Sequence, residues 1–308
     1  MNEGSLPDFV VLGPQKCATT WIYRCLEEHP EVFVPETDSI HYFDMNYRKG
    51  EKWYQNCFAQ HDGEPIVGEE TPSYIRDEVV PERIAQDVPD AKLIISVRNP
   101  MDRAYSHYWH EKSKGKLSFA FEEVFENYDL FQNWVVPGFY HRHIRRFLEE
   151  FPEEQVKLVF FDDLVEDDEA FISDVFEFVG ADPDYTPSFV DERVNEARDK
   201  LDFETINRVY HRAFDFVQTN FPQPVKNILH PLHTAYKRGI VGTFGGKDEY
   251  EKGMDANVRR RLEELYVEEI RLLEAHTGRD FSHWFEYPDA VGVEADLAAT
   301  RSDAVRAE

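Results

Sequence analysis

The sequence predicts an α/β protein in which a central parallel sheet lies between two layers of helices, a three-layer α/β/α arrangement with a mostly helical C-terminal half. Three observations predict this fold. Short apolar runs of strand length occur in the first half of the chain, and helical patterns separate them. Polar loops lead directly from these runs into the helices that follow, and the second half carries long helical periodicities instead. Strands separated by helices of this length favour a parallel sheet with right-handed crossovers.

The first strand is expected at residues 8–13, DFVVLG, because a short continuous apolar run is typical of a strand buried on both faces. A helical pattern follows without a break over residues 19–28, and residues 65–68 form a candidate short strand. Another strand is expected at residues 92–97, KLIISV, and its loop opens a helix that extends to about residue 112.

A third apolar run covers residues 156–161, VKLVFF, and Asp162 and Asp163 after it are good N-caps for a short helical turn. Helical patterns then cover residues 199–236 and 254–276. A loop that is rich in glycine and basic residues, KRGIVGTFGGKDEYEKG, lies between them.

From residue 288 onward the aromatic residues disappear, and small and charged residues replace them. This composition predicts a disordered tail, acidic and rich in alanine, over residues 288–308. Residues 1–287 are then expected to form a single domain.

The charge balance excludes several classes of partner. The chain has 34 basic and 61 acidic residues, a formal net charge of −27, whereas nucleic acids and anionic membranes are bound by clustered basic residues. Disorder of the whole chain is also excluded, since 42% of the residues are apolar and 14% are aromatic. The sequence therefore predicts a folded protein with a strongly self-repelling surface.

High acidity, sparse lysine and a substantial core together favour a protein adapted to concentrated salt, from a halophilic source. At molar ionic strength the Debye length falls to roughly 3 Å, which screens the self-repulsion. The alternative is an ordinary acidic protein of the cytosol.

The three cysteines, Cys17, Cys25 and Cys57, form no CxxC pair and imply no disulfide framework. The N-terminus lacks the features of a signal peptide, and no run approaches the roughly 18 apolar residues of a membrane span. We therefore expect a soluble protein located in the cytoplasm.

The segment 13–20, GPQKCATT, lies between the first strand and its helix, where free N–H groups and the helix dipole favour an anion. Lys16 adds a charge, and Thr19 and Thr20 add hydroxyl donors. The position is P-loop-like, but the Lys comes too early and the second Gly is absent for a Walker A motif. The alternative reading is a tight turn with a solvated lysine.

A second segment, 98–108 with the sequence RNPMDRAYSHY, repeats this logic at the end of another strand. Arg98 is placed to make a bidentate contact with a phosphate, and Ser106 lies two helical turns further on. Ligands of open α/β sheets bind at the carboxyl ends of the strands. Two such loops suggest a ligand with two separated anionic groups.

With these motifs the sequence resembles the sulfotransferase superfamily that uses 3′-phosphoadenosine 5′-phosphosulfate (PAPS). GPQKCATTWIYRCLEEHP resembles the 5′-phosphosulfate loop, in the variant of the Golgi heparan N-deacetylase/N-sulfotransferases and related bacterial and archaeal enzymes. LIISVRNPMDRAYSHY resembles the 3′-phosphate motif, and GEETPSY and DFSHWF resemble further family segments. The similarity covers roughly residues 8–285.

The resemblance implies roles for individual residues. Lys16 would bind the bridging oxygen and the sulfuryl group, and Trp21 matches a position where an indole stacks on adenine. Arg98 and Ser106 would clamp the 3′-phosphate. The remaining implied contacts are the backbone N–H groups of Cys17, Ala18, Thr19 and Thr20, the two threonine hydroxyls, and Arg238 and Lys247 in the glycine-rich loop.

The catalytic base departs from the family pattern. Many relatives carry KExxFF after the second strand, and aligning the segment around HYF places Ser39 where the basic Glu would be. Serine is not a base near neutral pH without its own activation, and His41 is the best local substitute. His41 could instead pack in the wall of the acceptor cleft. The carboxylates of Glu36, Asp38, Glu69 and Glu70 are the other candidates for the base.

Two basic clusters stand out in so acidic a chain. Lys112, Lys114 and Lys116 could hold the cofactor or an anionic acceptor such as an acidic glycan, or could be a solvated face. Arg142, Arg145 and Arg146 share one helical face, and pairing with Glu149 and Glu150 is the favoured interpretation.

The resemblance predicts a PAPS-dependent sulfotransferase that acts on a hydroxyl or amine, on a glycan or glycolipid. Sulfuryl transfer needs no metal, and lone HxxH pairs such as His107/His110 and His230/His233 do not indicate one. The alternatives are a PAP- or PAPS-binding protein without transfer activity, which Ser39 motivates, and a P-loop kinase, which the missing Walker A motif disfavours.

Overall fold

A computed structural model describes residues 6–36, 39–113, 119–188 and 253–286 of the chain. Its core is a five-stranded sheet with the strand order β2-β3-β1-β4-β5, and every neighbouring pair is parallel. The strands are β1 (Phe9–Gly13), β2 (Val32–Phe33), β3 (Ile66–Glu70), β4 (Lys92–Val97) and β5 (Val156–Phe160). The predicted α/β fold with a central parallel sheet is confirmed.

Nine α-helices occur in these described residues, and they connect or cover the strands. They are α1 (Thr19–Glu28), α2 (Glu51–Cys57), α3 (Val80–Asp87), α4 (Pro100–Ser113), α5 (Tyr128–Trp134), α6 (Tyr140–Glu150), α7 (Phe161–Glu166), α8 (Asp168–Val179) and α9 (Ala256–Thr277). Strand β2 escaped prediction because its two residues are too few for any periodicity.

The alternation of side chains in β1 explains the three layers. Successive residues of a strand point to opposite faces. Val10 and Leu12 accordingly belong to one buried cluster, with side chains of α3, α4, α6 and α9. Phe9 and Val11 belong to the other, with side chains of α1 and α8. Both faces of the central strand are therefore covered, as its continuous apolar sequence predicts.

The two aspartates after β5 were expected to cap a helix, and that prediction is wrong. Phe160 occupies the N-cap position of α7, and Asp162 and Asp163 lie in its first turn. Asp163 forms an ion pair with Arg279, and Asp162 accepts a 2.8 Å hydrogen bond from the indole Nε1 of Trp284. Both partners belong to a distant part of the chain. These contacts therefore hold the C-terminal segment at the carboxyl end of β5.

Helix α9 agrees with the sequence pattern over residues 254–276. Asp255 caps it by accepting hydrogen bonds from the backbone N–H groups of Asn257 (2.9 Å) and Val258 (3.3 Å). The helix ends before Gly278, whose φ of 69° is the left-handed conformation that glycine tolerates.

Several predictions lie outside the described residues: the helical pattern over residues 199–236, the glycine-rich loop and the tail 288–308. The single domain over residues 1–287 also stays a prediction. Within the described ranges, no helix is both long enough and apolar enough to cross a membrane.

Candidate active site

The two anion loops predicted from the sequence meet at one edge of the sheet. Strand β1 ends at Gly13 and β4 ends at Val97, and these strands are hydrogen-bonded neighbours with Gly13 opposite Ile95. Segment 13–20 and the segment beginning at Arg98 therefore leave the sheet side by side. This edge is the carboxyl end of both strands, where ligands of parallel α/β sheets bind.

The backbone of the first loop has an unusual conformation. Gly13 has a φ of 91°, and a Cβ there would lie 2.3 Å from the carbonyl oxygen of Pro72. Only glycine can therefore occupy this position without displacing the neighbouring chain. Lys16 and Ala18 also have positive φ values, 73° and 64°. Left-handed residues that alternate with others in this way turn successive N–H groups toward one point, an anion-binding arrangement.

Three successive carbonyl groups of this loop are held by side chains of the second motif. Arg98 Nη1 donates to the carbonyl oxygen of Lys16 at 3.1 Å, and Arg103 Nη1 donates to that of Gln15 at 3.5 Å. The hydroxyl of Ser96 donates to the carbonyl oxygen of Cys17. In a trans peptide the carbonyl and the next N–H point in opposite directions. The N–H groups of residues 16–18 consequently point away from these anchors.

Helix α1 continues the same surface. It begins at Thr19, and the first N–H groups of a helix have no partner within the helix. Thr19 is buried, whereas Thr20 is exposed beside it. Loop and helix together offer a row of backbone donors from residue 16 to residue 20, in the segment that also contains Lys16. This arrangement fits a phosphate or sulfate group.

Arg98 and Ser106 follow β4 in the order that the sequence predicted. The guanidinium of Arg98 lies over the ring of Phe161, 4.3 Å from its centroid, which restrains its orientation. Ser106 lies in α4 and is buried. Asn99 caps this helix through its side-chain oxygen, which accepts from the N–H of Met101 at 3.0 Å. The helix that carries Ser106 is thus fixed at its first turn.

Trp21 lies in the core of the molecule. Its side chain is 6% exposed and packs edge-on against Phe171 of α8, with the ring centroids 5.9 Å apart. The indole therefore takes part in the packing between α1 and α8. The adenine contact stays a prediction.

Arg103 is a site residue that the sequence reasoning missed, although it lies within the recognised motif. Its side chain is fully buried and donates to the carbonyl oxygens of Gln15 and Trp134. Its Nε has no hydrogen-bond partner among the residues that the structure describes. Nearby Cys17 is buried within 3.8 Å of the Tyr140 hydroxyl, and burial raises the pKa of its thiol. Cys17 therefore remains a neutral thiol beneath the loop.

His41 lies in a second polar cluster close to the loop. Its Nδ1 is 3.0 Å from a carboxylate oxygen of Asp44 and 3.2 Å from the hydroxyl of Ser73, which donates to the same carboxylate at 2.7 Å. Ser73 follows Pro72, the residue that packs against Gly13. The cluster therefore borders the start of the anion loop.

This arrangement selects one tautomer of His41. A carboxylate only accepts hydrogen bonds, so Nδ1 carries the proton and donates it to Asp44. Nε2 then keeps its lone pair, as a general base requires. The side chain of His41 is 33% exposed, whereas that of Asp44 is 9% exposed. Sequence reasoning missed Asp44 and Ser73, and the spacing HxxD was the available signal for Asp44.

The other candidates for the base differ from His41 in their surroundings. Glu69 is 1% exposed, and its oxygens accept hydrogen bonds from the hydroxyls of Tyr54 and Thr71. An acceptor molecule has no access to it. Glu70 is also buried at the end of β3, and Glu36 is exposed at the edge of the described chain. Asp38 lies outside the described residues, and Ser39 is half-buried.

All three arginines of α6 form ion pairs, as the favoured interpretation predicted. Only one of their partners is a residue that was expected from the sequence. Arg145 contacts Glu149 at 3.3 Å, whereas Arg142 and Arg146 contact residues of other elements, Glu269 at 3.8 Å and Glu78 at 2.7 Å. Each of the three arginines therefore has an acidic partner.

Of the predicted basic residues in the lysine cluster and in the glycine-rich loop, only Lys112 lies within the described residues. Lys112 lies over the ring of Trp109, with its Nζ 4.6 Å from the centroid. Lys114, Lys116, Arg238 and Lys247 lie outside the described residues.

Across the described ranges no group of three His, Cys, Asp or Glu side chains could hold a metal ion.

Known proteins resemble this chain in sequence and in fold. A human bifunctional heparan sulfate N-deacetylase/N-sulfotransferase 3 is 34% identical over 202 residues, which are 59% of this chain and 23% of that protein. A human heparan sulfate glucosamine 3-O-sulfotransferase 3A1 is 32% identical over 188 residues, 58% of this chain and 46% of that protein. The chain thus spans less than half of the length of these relatives.

A crystal structure of a sulfotransferase from Alicyclobacillus acidocaldarius matches the fold with a TM-score of 0.65. The match covers 91% of this chain and 99% of that chain at 22% identity, so it supports the fold alone. The family model described as "Sulfotransferase domain" matches residues 6–273, a range that contains both anion loops and the His41 cluster. The chain belongs to the sulfotransferase domain family.

Proposed function

We propose that the protein transfers a sulfuryl group from PAPS to a hydroxyl or amine of an acceptor. One observation carries this proposal above the others: the second motif holds the first in place. Ser96, Arg98 and Arg103 anchor three successive carbonyls of the loop that contains Lys16. The two anion loops form one hydrogen-bonded unit, as expected of a site for a ligand with two anionic groups.

The residues present fit the two charged ends of PAPS. Lys16 and the N–H groups of residues 16–20 would hold the 5′-phosphosulfate, since they combine fixed dipoles with a mobile charge. Arg98 and Ser106 would hold the 3′-phosphate. Arg238 and Lys247 are proposed as further donors, from the glycine-rich loop.

When bound, PAPS supplies an electrophilic sulfuryl group and a leaving group, PAP. His41 Nε2 would take the proton of the acceptor as the new bond to sulfur forms and the sulfur–oxygen bond to PAP breaks, with its electron pair remaining on PAP. Asp44 stabilises the imidazolium that results, because its carboxylate already accepts from Nδ1. Lys16 would neutralise the charge that develops on the leaving oxygen.

The acceptor belongs, on this proposal, to the glycans. The two relatives described above are named for heparan sulfate, a polysaccharide. Arg48, Lys49 and Lys52 follow the His41 segment and are exposed, and none of them forms an ion pair with a described residue. Lys49 Nζ lies 4.2 Å from the centroid of the Trp53 ring. Exposed cations beside an aromatic ring suit an acidic sugar chain in a protein that is otherwise negative.

Two experiments test the proposal. Calorimetric titration with PAP and with ATP should show that PAP binds more tightly, and a preference for ATP would favour a kinase instead. Incubation with PAPS and a glycan panel at high salt, followed by mass spectrometry, should show one sulfate added to an acceptor. Tight binding of PAP without release of sulfate to any acceptor or to water would leave the binding-only function.

A further inference from the structure

A buried carboxylate at the end of β3 connects to the segment that carries His41. Glu69 accepts hydrogen bonds from three hydroxyls: those of Tyr54, of Thr71 at 2.8 Å and of Tyr74 at 3.4 Å. The carboxylate is 1% exposed and lies among the aromatic residues of α2 and of the turn after β3. Nothing in the proposed transfer reaction uses it directly.

Two of these hydroxyl oxygens also accept hydrogen bonds from backbone N–H groups of the segment that contains His41. The oxygen of Thr71 accepts from the N–H of Ile40 at 3.2 Å and from that of His41 at 3.5 Å. The oxygen of Tyr74 accepts from the N–H of Phe43 at 3.1 Å. Glu69 is therefore linked through one intervening hydroxyl to three backbone groups within residues 40–43.

The direction of each hydrogen bond in this network depends on the charge of Glu69. A hydroxyl has one proton to donate, and an ionised carboxylate only accepts. While Glu69 is ionised, Thr71 and Tyr74 give it their protons and offer their lone pairs to the backbone. A protonated Glu69 must donate from one oxygen, and the hydroxyl that receives this proton must turn its own proton elsewhere.

The backbone of His41 needs such support. Its φ of 55° places it in the left-handed region, which is strained for a residue other than glycine, asparagine or aspartate. Strained residues of this kind persist only where the surroundings hold them. The N–H bonded to Thr71 belongs to His41 itself, so the network acts on the strained residue.

We propose that Glu69 is a positioning residue which, through Thr71 and Tyr74, holds the backbone of residues 40–43 and so directs His41 toward the acceptor. The inference rests on the proposed function, in which His41 receives the proton of the acceptor. Ionised Glu69 maintains this conformation, and protonation of Glu69 loosens it.

Burial raises the pKa of Glu69 to about 7, against the opposing effect of its three hydrogen bonds. The titratable groups that face it are Tyr54 and Cys57 of α2, Tyr74 of the turn after β3, and Asp44 of the His41 segment. Asp44 raises this pKa further, because two negative charges repel. The change in the network therefore falls close to neutral pH.

The first test observes the network without activity. In NMR spectra of the full chain, the amide signals of Ile40 and Phe43 should shift with a midpoint near pH 7, and Glu69→Gln should abolish this step. A step that persists unchanged in Glu69→Gln overturns the proposal. This readout does not require sulfuryl transfer, so it separates the positioning role from the proposed function.

The second test uses matched pairs in case Glu69→Gln fails to fold. Thr71→Val removes the hydroxyl at nearly constant volume, and Thr71→Ser keeps it. We expect Thr71→Val to lower kcat by about 10- to 100-fold, as misplacement of a reacting group does, with the Kd for PAP unchanged. Thr71→Ser, which keeps the hydroxyl, should retain most of the activity of the original protein. Equal kcat values in the two variants would contradict the role of the hydroxyl.

Two stacked tyrosines provide the control for pH. The rings of Tyr42 and Tyr54 lie 4.2 Å apart, but Tyr42 donates to Asp87 and Tyr54 donates to Glu69. Tyr54→Phe removes a hydrogen bond to the charged form of Glu69 and should move the amide midpoint to higher pH. Tyr42→Phe should leave it unchanged. Identical midpoints in both variants would overturn the assignment to Glu69.

Discussion

At the scale of single residues, Lys16 is the side chain on which transfer should depend most. Its ammonium group lies in a loop whose backbone is held by Arg98 and Ser96, so its removal should leave the loop intact. We predict that Lys16→Ala lowers kcat by at least about 100-fold, comparable to the loss of one oxyanion donor. Lys157→Ala, which breaks a surface pair with Asp174, is the control. Unchanged turnover with Lys16→Ala would remove the residue from the mechanism.

Arg103 tests the anchoring of the loop rather than its chemistry. Its planar guanidinium reaches two carbonyl oxygens, those of Gln15 and Trp134, which a single ammonium group cannot do with the same geometry. We predict that Arg103→Lys weakens PAP binding about tenfold and lowers the free energy of unfolding by roughly 1–3 kcal/mol. Exposed Arg24→Lys on α1 should change neither quantity. Calorimetry and urea unfolding measure the two effects.

His143 should make the protein sensitive to acid. Burial lowers its pKa to about 4, while its Nε2–H donates to the carbonyl oxygen of Val136 at 2.9 Å. Between about pH 6.5 and pH 4 the unfolded chain binds more protons at this residue than the folded chain does. Stability from this source is therefore lost as the pH falls through that window, by up to roughly 3 kcal/mol.

His143→Gln offers an N–H in place of Nε2–H without a group that titrates in this range. Its free energy of unfolding should fall less between pH 7 and pH 4.5 than that of the original protein, as urea unfolding at both pH values would reveal. The same loss in both proteins would show that another group is responsible.

At the scale of elements, a partly buried ion cluster joins α9 to α4. Arg259 donates to Glu263 on the next turn of α9 at 3.2 Å and to Asp102 of α4 at 2.5 Å. Its Nη2 also donates to the carbonyl oxygen of Trp284 at 3.0 Å, and the Asn99 side chain donates to that same oxygen. Helix α9 and the C-terminal segment thus support the first turn of the helix that carries Ser106.

Breaking this cluster from one side should be costly. Glu263 is 1% exposed, so Arg259→Met removes a cation that lies against a buried carboxylate, and we predict a loss of about 3–5 kcal/mol in unfolding free energy. Adding Glu263→Gln should recover part of that loss, because the buried negative charge is removed as well. Arg145→Met, at an exposed pair, should cost less than about 1 kcal/mol. A similar cost for the two single substitutions would contradict burial as the cause.

The elements themselves were largely predictable from the sequence. Runs such as FVVLG and LIISV are buried on both faces, and burial of that kind leaves a continuous apolar signal. The loop 13–20 was predictable for a related reason, since a strand that leads directly into a helix leaves few geometries for the connection. The roles of Asp162 and Asp163 were not predictable, because Arg279 and Trp284 lie more than a hundred residues away.

The surroundings of His41 show the same limit. His41 was predicted as a candidate base from its sequence position, but its partner Ser73 and the network of Glu69 depend on a contact between separate loops. A sequence pattern reports what neighbouring residues share, and it does not report which hydroxyl will accept from which N–H. The polar contacts of this protein were therefore not predictable from its sequence, whereas its apolar strands were.

At the scale of the whole molecule, the charge of −27 opposes the binding of an anionic donor. The proposed pocket gathers Lys16, Arg98 and Arg103 in the interior of a protein whose overall field repels anions. Salt shortens the range of that field more than it weakens contacts made within a few ångströms in a partly buried site. Concentrated salt should therefore help both folding and binding.

We predict that the melting temperature and the rate of association with PAP both rise between about 0.1 M and 2 M KCl, as the Debye length falls from roughly 10 Å to a few ångströms. Sorbitol at equal osmolality is the control, since it leaves the charges unscreened and should not accelerate association. A rate that falls steadily with KCl would mean that local attraction by the pocket outweighs repulsion by the surface. Scanning calorimetry and stopped-flow measurements at several KCl concentrations would distinguish these outcomes, and assays in dilute buffer should underestimate the activity.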